Sequence, residues 1–282
     1  MAGLREISSL EITRVIKDLC LQANRVLRPD ALEAIKKSLG FEVSPTGIEV
    51  IEQIIKNAGL AASKQLPICQ DTGYVSVFVE LGQGISLQGD LTLAINRGVK
   101  EAYDEGYLRK SLVACPIFER KNTGDNIPAF ITVDIVPGDR IKIVVMPKGG
   151  GTENASQMRM LPVSGGVGAV KEFVLKVAEG AAKSCPPVIV GVGIGASFDK
   201  VGLLAKKALL RPLGDSNPNP EFAALEDELL ERINKLGIGP AGLGGRVTAL
   251  AVKIEAAPTH IACLPAAVTF NCHAARQAEA II

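Results

Sequence analysis

One seven-residue stretch, Pro67-Ile68-Cys69-Gln70-Asp71-Thr72-Gly73, joins a helical pattern that ends near Gln65 to a strand pattern that starts at Tyr74. It places a thiol, an amide and a carboxylate on three consecutive residues. The Thr-Gly pair that follows them favours a turn. Ligand-type side chains on a connecting loop are typical of a functional site, because loops held by a rigid scaffold carry many binding and catalytic residues.

Helical patterns lead the chain into this stretch. Ser8 with Glu11 forms a capping box, which predicts a helix start, and apolar residues follow at helical spacing. Pro29-Asp30 predicts the start of a second helix and Ser44-Pro45 the start of a third. The N-terminal part of the chain is therefore expected to be helical.

Strand and helix patterns alternate after the stretch. Strands are predicted at 74–81, 129–136, 140–146, 188–190 and 246–255, and helices at 90–104, 166–183, 198–210 and 220–236. Pro137-Gly138-Asp139 predicts a hairpin turn between two of the strands. With no internal repeat or linker, we predict one mixed α/β (α+β) domain over residues 1–282, with a helical N-terminal part and a β-rich core.

Composition excludes several classes of protein. The 282 residues carry 31 basic and 30 acidic side chains, a net charge of +1, which gives no reason to expect nucleic acid or a membrane surface as partner. Aromatic residues make up 4% and Trp is absent, which argues against a base-stacking surface. The polar start Met1-Ala2-Gly3-Leu4-Arg5-Glu6 predicts no export signal, and no apolar run is long enough to span a bilayer.

Six cysteines are spread along the chain without any C-x-x-C pair. In a chain with no export signal they fit a reducing cytoplasm, where cysteine fills the core or binds metal. Scattered thiols near predicted turns suit an iron–sulfur cluster, and three thiolates would leave one iron of a [4Fe–4S] cluster open to substrate. The residues alone do not choose the three: core positions suit Cys20 and Cys263, site-like neighbours surround Cys69, Cys185 and Cys272, and Cys115 is ambiguous.

Two glycine-rich segments have alternative interpretations. Lys148-Gly149-Gly150-Gly151-Thr152-Glu153-Asn154 could let the backbone approach a ligand closely, or could be a loop tip. Gly191, Gly193 and Ala196 match the dinucleotide-binding pattern G-x-G-x-x-A. That pattern also requires an acidic residue on a second strand about 20 positions later, where this chain has a loop, Arg211-Pro212-Leu213-Gly214-Asp215. The nucleotide site is therefore the weaker alternative.

Four ordered motifs give the chain a resemblance to a known family. They are residues 67–73, residues 148–154, the segment from Cys185-Pro186-Pro187 to Gly195, and Asn271-Cys272-His273-Ala274-Ala275-Arg276. Together they resemble the class I (iron–sulfur) fumarate hydratases, and more closely the separate alpha subunit of the two-subunit form. The L-tartrate dehydratase alpha subunit is a close relative. The resemblance covers essentially the whole chain.

The resemblance implies a cofactor and a set of site residues. A [4Fe–4S] cluster would be held by Cys69, Cys185 and Cys272, which leaves Cys115 without a ligand role. The substrate contacts implied are Gln70, Arg109 and Gly149. The catalytic residues implied are Asp71 and His260.

The resemblance also implies the reaction, a reversible hydration of fumarate to L-malate, with L-tartrate dehydration as the alternative. The open iron would act as a Lewis acid on the hydroxyl and one carboxylate of malate. Asp71 would donate a proton or a hydrogen bond at that hydroxyl. Simpler roles exist for these residues: Asp71 could cap a turn, Arg109 could be a solvated surface residue and His260 could be a core histidine. His273 is expected to support a ligand rather than to act in catalysis.

A partner chain is expected as well. Single-chain members of the family continue into a second domain that supplies further carboxylate contacts and the base, whereas this sequence ends at Ile282. We therefore expect a separate beta subunit to complete the site in a hetero-oligomer. The second hypothesis is a non-catalytic iron–sulfur subunit. Asp71, Arg109 and the glycine-rich residues 148–154 favour the enzyme, because a cluster holder has no need of them.

Overall fold

The computed structural model describes residues 4–282, so the predicted polar start is described only from Leu4 onward. These residues fall into two compact units. The first contains the residues up to Arg28 together with Ala58–Gly149 and Arg276–Ile282, and the second contains Pro29–Asn57 and Gly150–Ala275. Helices and sheets occur in mixture, which confirms the predicted α/β class. Among the described residues, no helix has the length and apolar character needed to cross a bilayer.

The helices and strands follow one another along the described chain in a mixed order. They are β1 (Arg5–Ser8), α1 (Ser9–Arg25), α2 (Pro29–Ser38), α3 (Pro45–Lys64), β2 (Tyr74–Gly82), β3 (Ile85–Gln88), α4 (Leu91–Glu105), β4 (Phe130–Val136), β5 (Ile141–Lys148), α5 (Gly150–Ala155), β6 (Gln157–Leu161), α6 (Gly166–Ala178), β7 (Val188–Gly195), α7 (Phe198–Ala208), α8 (Pro220–Asn234), β8 (Ala249–Ala257), β9 (Leu264–Asn271) and β10 (Ala278–Ile281). Short 3-10 turns occur at Val163–Gly165, Glu179–Ser184 and Pro240–Gly242.

The core of the first unit forms around β2, the strand that follows the Cys69 stretch. β2 lies inside a four-stranded sheet of order β10-β5-β2-β4, and Val75, Val77 and Val79 are almost completely buried. The helix α1 packs against α4 and this sheet. Its predicted cap is confirmed, because the Ser8 hydroxyl accepts the Glu11 N–H at 3.1 Å. The stretch is thus attached to a largely buried inner strand of its unit.

The predicted hairpin at Pro137-Gly138-Asp139 is wrong. The two strands that it joins, β4 and β5, are separated by β2, which pairs in parallel with β4 and antiparallel with β5. The turn instead passes across the end of β2, and the Gly84 N–H, just after that strand, donates to the Gly138 carbonyl at 2.8 Å. Turn residues predict that the chain reverses, but they do not reveal whether another strand occupies the space between the two arms.

The second unit is built on a four-stranded sheet of order β6-β9-β7-β8. The strand β7 runs parallel to β8 and antiparallel to β9. The helix α7 packs on β7 and β9, and α8 packs on β8. β7 therefore has a neighbour on each edge and a helix on its face.

Gly191 and Gly193 lie inside β7, and not in a turn after it, so the dinucleotide-binding interpretation is wrong. A Cβ atom on Gly191 would lie 2.3 Å from the Ala205 carbonyl oxygen, and one on Gly193 would lie 2.3 Å from the Val201 carbonyl oxygen. Both contacts are with α7. The glycines are needed because the helix lies directly on the bare backbone of the strand.

A buried carboxylate anchors the segment before α3 in the second unit. Glu42 is only 6% exposed, and its carboxylate accepts four backbone N–H groups, those of Val43, Ser44, Arg246 and Val247, at 2.8 to 3.0 Å. Burial raises the pKa of Glu42, but these hydrogen bonds outweigh it and hold the pKa below its ordinary value. The ionised form is therefore the one that the fold stabilises.

Replacing Glu42 by Gln is expected to lower the free energy of unfolding by about 2 kcal/mol at pH 7, since an amide cannot accept all four N–H groups. Because the folded-state pKa is depressed, this stabilisation is complete above the unfolded-state pKa and disappears as the pH falls through the folded-state pKa. Urea unfolding at pH 7 and below about pH 4 measures both effects. The exposed Glu52→Gln variant is the control, and an equal loss at both pH values would contradict the assignment.

Candidate active site

The turn that carries Cys69 and Asp71 is held rigidly within the first unit. The buried Tyr103 hydroxyl donates to the carbonyl oxygens of Thr72 and Gly73 at 2.7 and 3.1 Å. Burial raises the pKa of Tyr103, so its hydroxyl keeps the proton that it donates. Gly73 has a φ of +72°, and a Cβ atom there would lie 2.3 Å from the carbonyl oxygen of Lys148. Only glycine fits this position.

Asp71 has two kinds of neighbour. Its Oδ1 atom accepts the Gly73 N–H at 3.1 Å, which makes it a turn-capping residue as the simpler alternative supposed. The same oxygen accepts the Ser111 hydroxyl at 3.3 Å and lies 3.9 Å from Nη2 of Arg109. The cap thus fixes the carboxylate beside a hydroxyl and an exposed guanidinium.

Gly149 lies against the same carboxylate. A Cβ atom on it would lie 3.2 Å from Nη2 of Arg276 and 3.4 Å from Oδ2 of Asp71. Arg276 is only 4% exposed, and its guanidinium donates to the backbone carbonyl of Asp71 and, at 3.4 Å, to Oδ1 of Asn24. Three residues that the family resemblance assigns to the substrate site therefore lie together in one unit, namely Asp71, Arg109 and Gly149.

Two residues that sequence reasoning missed support this group. The first is Arg276, which the sequence indicated only as the last residue of a motif and without a role of its own. The second is Asn126, a fully buried residue with a φ of +62°, which accepts the Ser111 N–H at 2.7 Å and donates to the Gly73 carbonyl at 3.1 Å. It ties the segment of Arg109 and Ser111 to the Asp71 turn. An Asn in the run Gly124-Asp125-Asn126 signals a turn, but nothing in the sequence signals its burial.

Cys69 and Gln70 lie on the same turn, where Cys69 is partly exposed and Gln70 is exposed. The Cys69 thiol lies 3.4 Å from Oε1 of Gln70, close enough to donate a weak hydrogen bond. Neither side chain is taken up by the core. Both are therefore available to a ligand bound at this turn.

The structure brings Cys185 and Cys272 together in the second unit. Cys185 precedes β7 and Cys272 follows β9, and these antiparallel strands pair with Ile189 opposite Asn271. The backbone N–H of His273 donates to the Cys185 carbonyl at 3.3 Å, and its Nδ1 atom lies 3.0 Å from the same oxygen. Cys185 is exposed and Cys272 is partly exposed. His273, which directly follows Cys272, thus connects the backbone of this segment to that of Cys185, so the two cysteines predicted to bind the cluster lie on adjoining segments.

The glycine-rich stretch continues into this region and is not a loop tip. From Gly150 onward it forms the short helix α5, and the Ser184 hydroxyl donates to the Gly151 carbonyl at 3.4 Å. The Glu153 carboxylate pairs with the Lys206 ammonium at 3.2 Å. The stretch therefore packs against the residues that lead into Cys185.

The other three cysteines have different surroundings. Cys20 is completely buried in α1, and burial raises its pKa, so the predicted core role is confirmed. Cys263 is partly exposed in a turn, so the prediction of a core role is wrong for it. The Cys115 thiol is partly exposed, and the backbone N–H groups of Phe118 and its neighbours lower its pKa. Across residues 4–282, no three His, Cys, Asp or Glu side chains are grouped closely enough to hold a single metal ion.

His260 lies away from the paired cysteines. It follows β8, which runs parallel to β7, so it is found where β7 ends, whereas Cys185 is found where β7 begins. The eight residues of β7 span about 26 Å. His260 is exposed, and its Nδ1 atom accepts the Ala262 N–H at 3.1 Å. It lines a cavity of about 630 Å³ with Cys263 and is not a core histidine.

Comparison of the sequence with known proteins assigns the chain to a family. The model of the family described as "Fumarate hydratase (Fumerase)" matches residues 13–281. The chain is 41% identical over 276 residues to the "Putative L(+)-tartrate dehydratase subunit alpha" of Methanocaldococcus jannaschii, covering 95% of this chain and 96% of that one. It is 34% identical over 278 residues to the "L(+)-tartrate dehydratase subunit alpha" of Escherichia coli O157:H7, covering 96% and 91%. The chain belongs to the fumarate hydratase family, as an alpha-subunit type of hydro-lyase.

Proposed function

We propose that this chain is the cluster-bearing alpha subunit of an iron–sulfur hydro-lyase that hydrates fumarate reversibly to L-malate. The observation that carries the proposal is the group formed by Asp71, Arg109 and Gly149 in a chain that belongs to the fumarate hydratase family. L(+)-tartrate is the second candidate substrate, because relatives at 34 to 41% identity are named for it. A cytoplasmic location is part of the proposal.

The proposed cofactor is a [4Fe–4S] cluster on the thiolates of Cys69, Cys185 and Cys272. Their chemistry fits, because none of these three cysteines is in a disulfide and all three are at least partly exposed, and two of them adjoin one backbone contact at His273. When bound, such a cluster supplies a Lewis acid at the iron that has no cysteine ligand. Cys115 has no part in this set.

The side chains of the first unit would orient the substrate. The exposed guanidinium of Arg109 can take one substrate carboxylate with two parallel hydrogen bonds. A Cβ atom on Gly149 would lie 3.4 Å from Oδ2 of Asp71, so the glycine keeps a side chain away from this carboxylate, and Gln70 can contact the substrate from the same turn. Asp71, whose rotamer is fixed by Gly73 and Ser111, would hold or transfer a proton at the substrate hydroxyl.

A beta subunit would supply the remaining carboxylate contacts and the catalytic base. The alpha-subunit names of the relatives support such a partner. A catalytic role for His260 rests on the family resemblance alone. Within the second unit, His260 lies at the opposite end of the sheet from Cys185 and Cys272.

Anaerobic reconstitution with iron and sulfide tests the proposal. We expect about four irons per alpha chain, an EPR signal after reduction that shifts when malate or tartrate is added, and turnover only when the beta subunit is present. The ratio of kcat/KM for fumarate and L(+)-tartrate decides between the two substrates. Full turnover by the alpha chain alone would refute the two-subunit site, and turnover without iron would refute the cluster.

A further inference from the structure

A small finger projects from the first unit beside the candidate site. We use this name for residues 112–123. Val113 and Asn122 form an antiparallel bridge, and the Ala114 N–H donates to the Lys121 carbonyl at 2.8 Å. The two arms of the finger are thus fixed to each other by backbone hydrogen bonds.

The tip of the finger presents two large apolar side chains to solvent. Ile117 is 75% exposed and Phe118 is 84% exposed. The tip is nevertheless fixed, because the Phe118 N–H donates to Cys115 Sγ at 3.4 Å and the Arg120 guanidinium donates to the Pro116 carbonyl. An ordered apolar pair is well suited to binding, since little conformational freedom is left to lose.

The base of the finger is connected to the candidate site. Asn122 donates to the carbonyl of Lys110 at 3.0 Å, and the next residue, Ser111, donates to the Asp71 carboxylate at 3.3 Å. A chain that covers Asp71 and completes its substrate contacts would therefore lie close to the base of the finger. Near the tip the two basic residues Arg120 and Lys121 outnumber the one acidic residue, Glu119, and this excess of positive charge favours an acidic surface on that chain.

We propose that the finger is a docking element for the beta subunit, with Ile117 and Phe118 entering an apolar pocket that has an acidic rim. The inference rests on the proposed function, because the beta subunit is the chain that completes the Asp71 site. Aromatic anchors in such pockets carry much of the binding energy of an interface. Docking at the finger would couple subunit assembly to the position of Ser111, and through it to Asp71.

The binding of the beta subunit to alpha-chain variants tests this proposal. The double variant Ile117→Ser/Phe118→Ser is expected to weaken beta-subunit binding by about 30-fold or more in isothermal titration calorimetry. Because both side chains are exposed, the thermal midpoint of the alpha chain alone should stay unchanged. Phe41→Ser is the matched control, since Phe41 is also highly exposed, at 70%, but lies in the second unit. The affinity of the Phe41→Ser variant for the beta subunit should remain within a factor of about three of the wild-type value.

Each other outcome has a separate meaning. If the double variant binds the beta subunit with wild-type affinity, the finger is not the docking element, and the proposed function is unaffected. A loss of self-association in sedimentation velocity, with beta binding intact, would assign the finger to a second copy and overturn the proposal. A wild-type alpha chain that does not bind the beta subunit would overturn both proposals. A complex that forms through the finger but has no hydratase activity would overturn only the function.

Discussion

Replacing Asp71 by Asn is expected to lower the kcat of the reconstituted alpha–beta enzyme by about 10²- to 10⁴-fold, with its iron content unchanged. Asn has nearly the same shape as Asp, and its amide oxygen can still accept the Gly73 N–H, so the turn should keep its geometry. The amide cannot take up or release a proton in the reaction, and it cannot pair with Arg109 as a charge. The loss should therefore fall on the chemical step.

The control for this variant is Asp125→Asn. Asp125 also accepts the N–H two residues ahead, that of Ile127 at 3.2 Å, so the same turn chemistry is tested without the Arg109 and Ser111 contacts. We expect wild-type kcat and iron content for the control. Loss of iron from Asp71→Asn would instead assign Asp71 to cluster binding, and wild-type kcat would remove it from the mechanism.

Local signals predicted most of the elements correctly. The start of α1 was predicted because the Ser8 and Glu11 pattern is satisfied within one turn of helix, and α3 begins at Pro45 as its sequence suggests. The strand β8 was predicted at 246–255 but is found at Ala249–Ala257. Its starting point is set by its pairing with β7, which is a contact between distant parts of the chain.

Distant contacts also explain the errors. The hairpin at Pro137-Gly138-Asp139 was wrong because β2 occupies the space between its arms. Gly193 suggested a phosphate-binding turn because glycine is needed both for close approach of a ligand and for close packing of a helix. The structure shows the second reason, with α7 lying on the strand. Spacing in the sequence does not distinguish these two uses.

The candidate site was predictable where its chemistry is concentrated in one stretch. Asp71 and Gln70 adjoin a cysteine in sequence, and the chain continues directly into β2. Asn126 was not predictable as a support, because its role depends on burial between Ser111 and Gly73. The remote position of His260 depends on the direction of β7 and β8, which follows from the topology of the sheet and not from local sequence.

Replacing Cys185 by Ser is expected to reduce the iron content from about four per chain to near zero and to abolish turnover. A serine hydroxyl is a poor ligand for iron, which in these clusters is held by thiolate. The effect should be separable from folding, because Cys185 is exposed and its structural contact is made by its carbonyl oxygen, which His273 binds and which serine retains. The thermal midpoint of the iron-free chain should therefore match the wild type.

Cys115→Ser is the matched control, because Cys115, like Cys185, is followed by proline and is not buried. Its thiol accepts the Phe118 N–H, a bond that a serine oxygen can accept as well, so neither folding nor iron content should change. Iron content and the visible absorbance of the cluster, measured after anaerobic reconstitution of both variants, decide the ligand set. Full iron in Cys185→Ser would remove Cys185 from that set. Loss of iron in Cys115→Ser would add Cys115 to it and would place a cluster ligand within the finger.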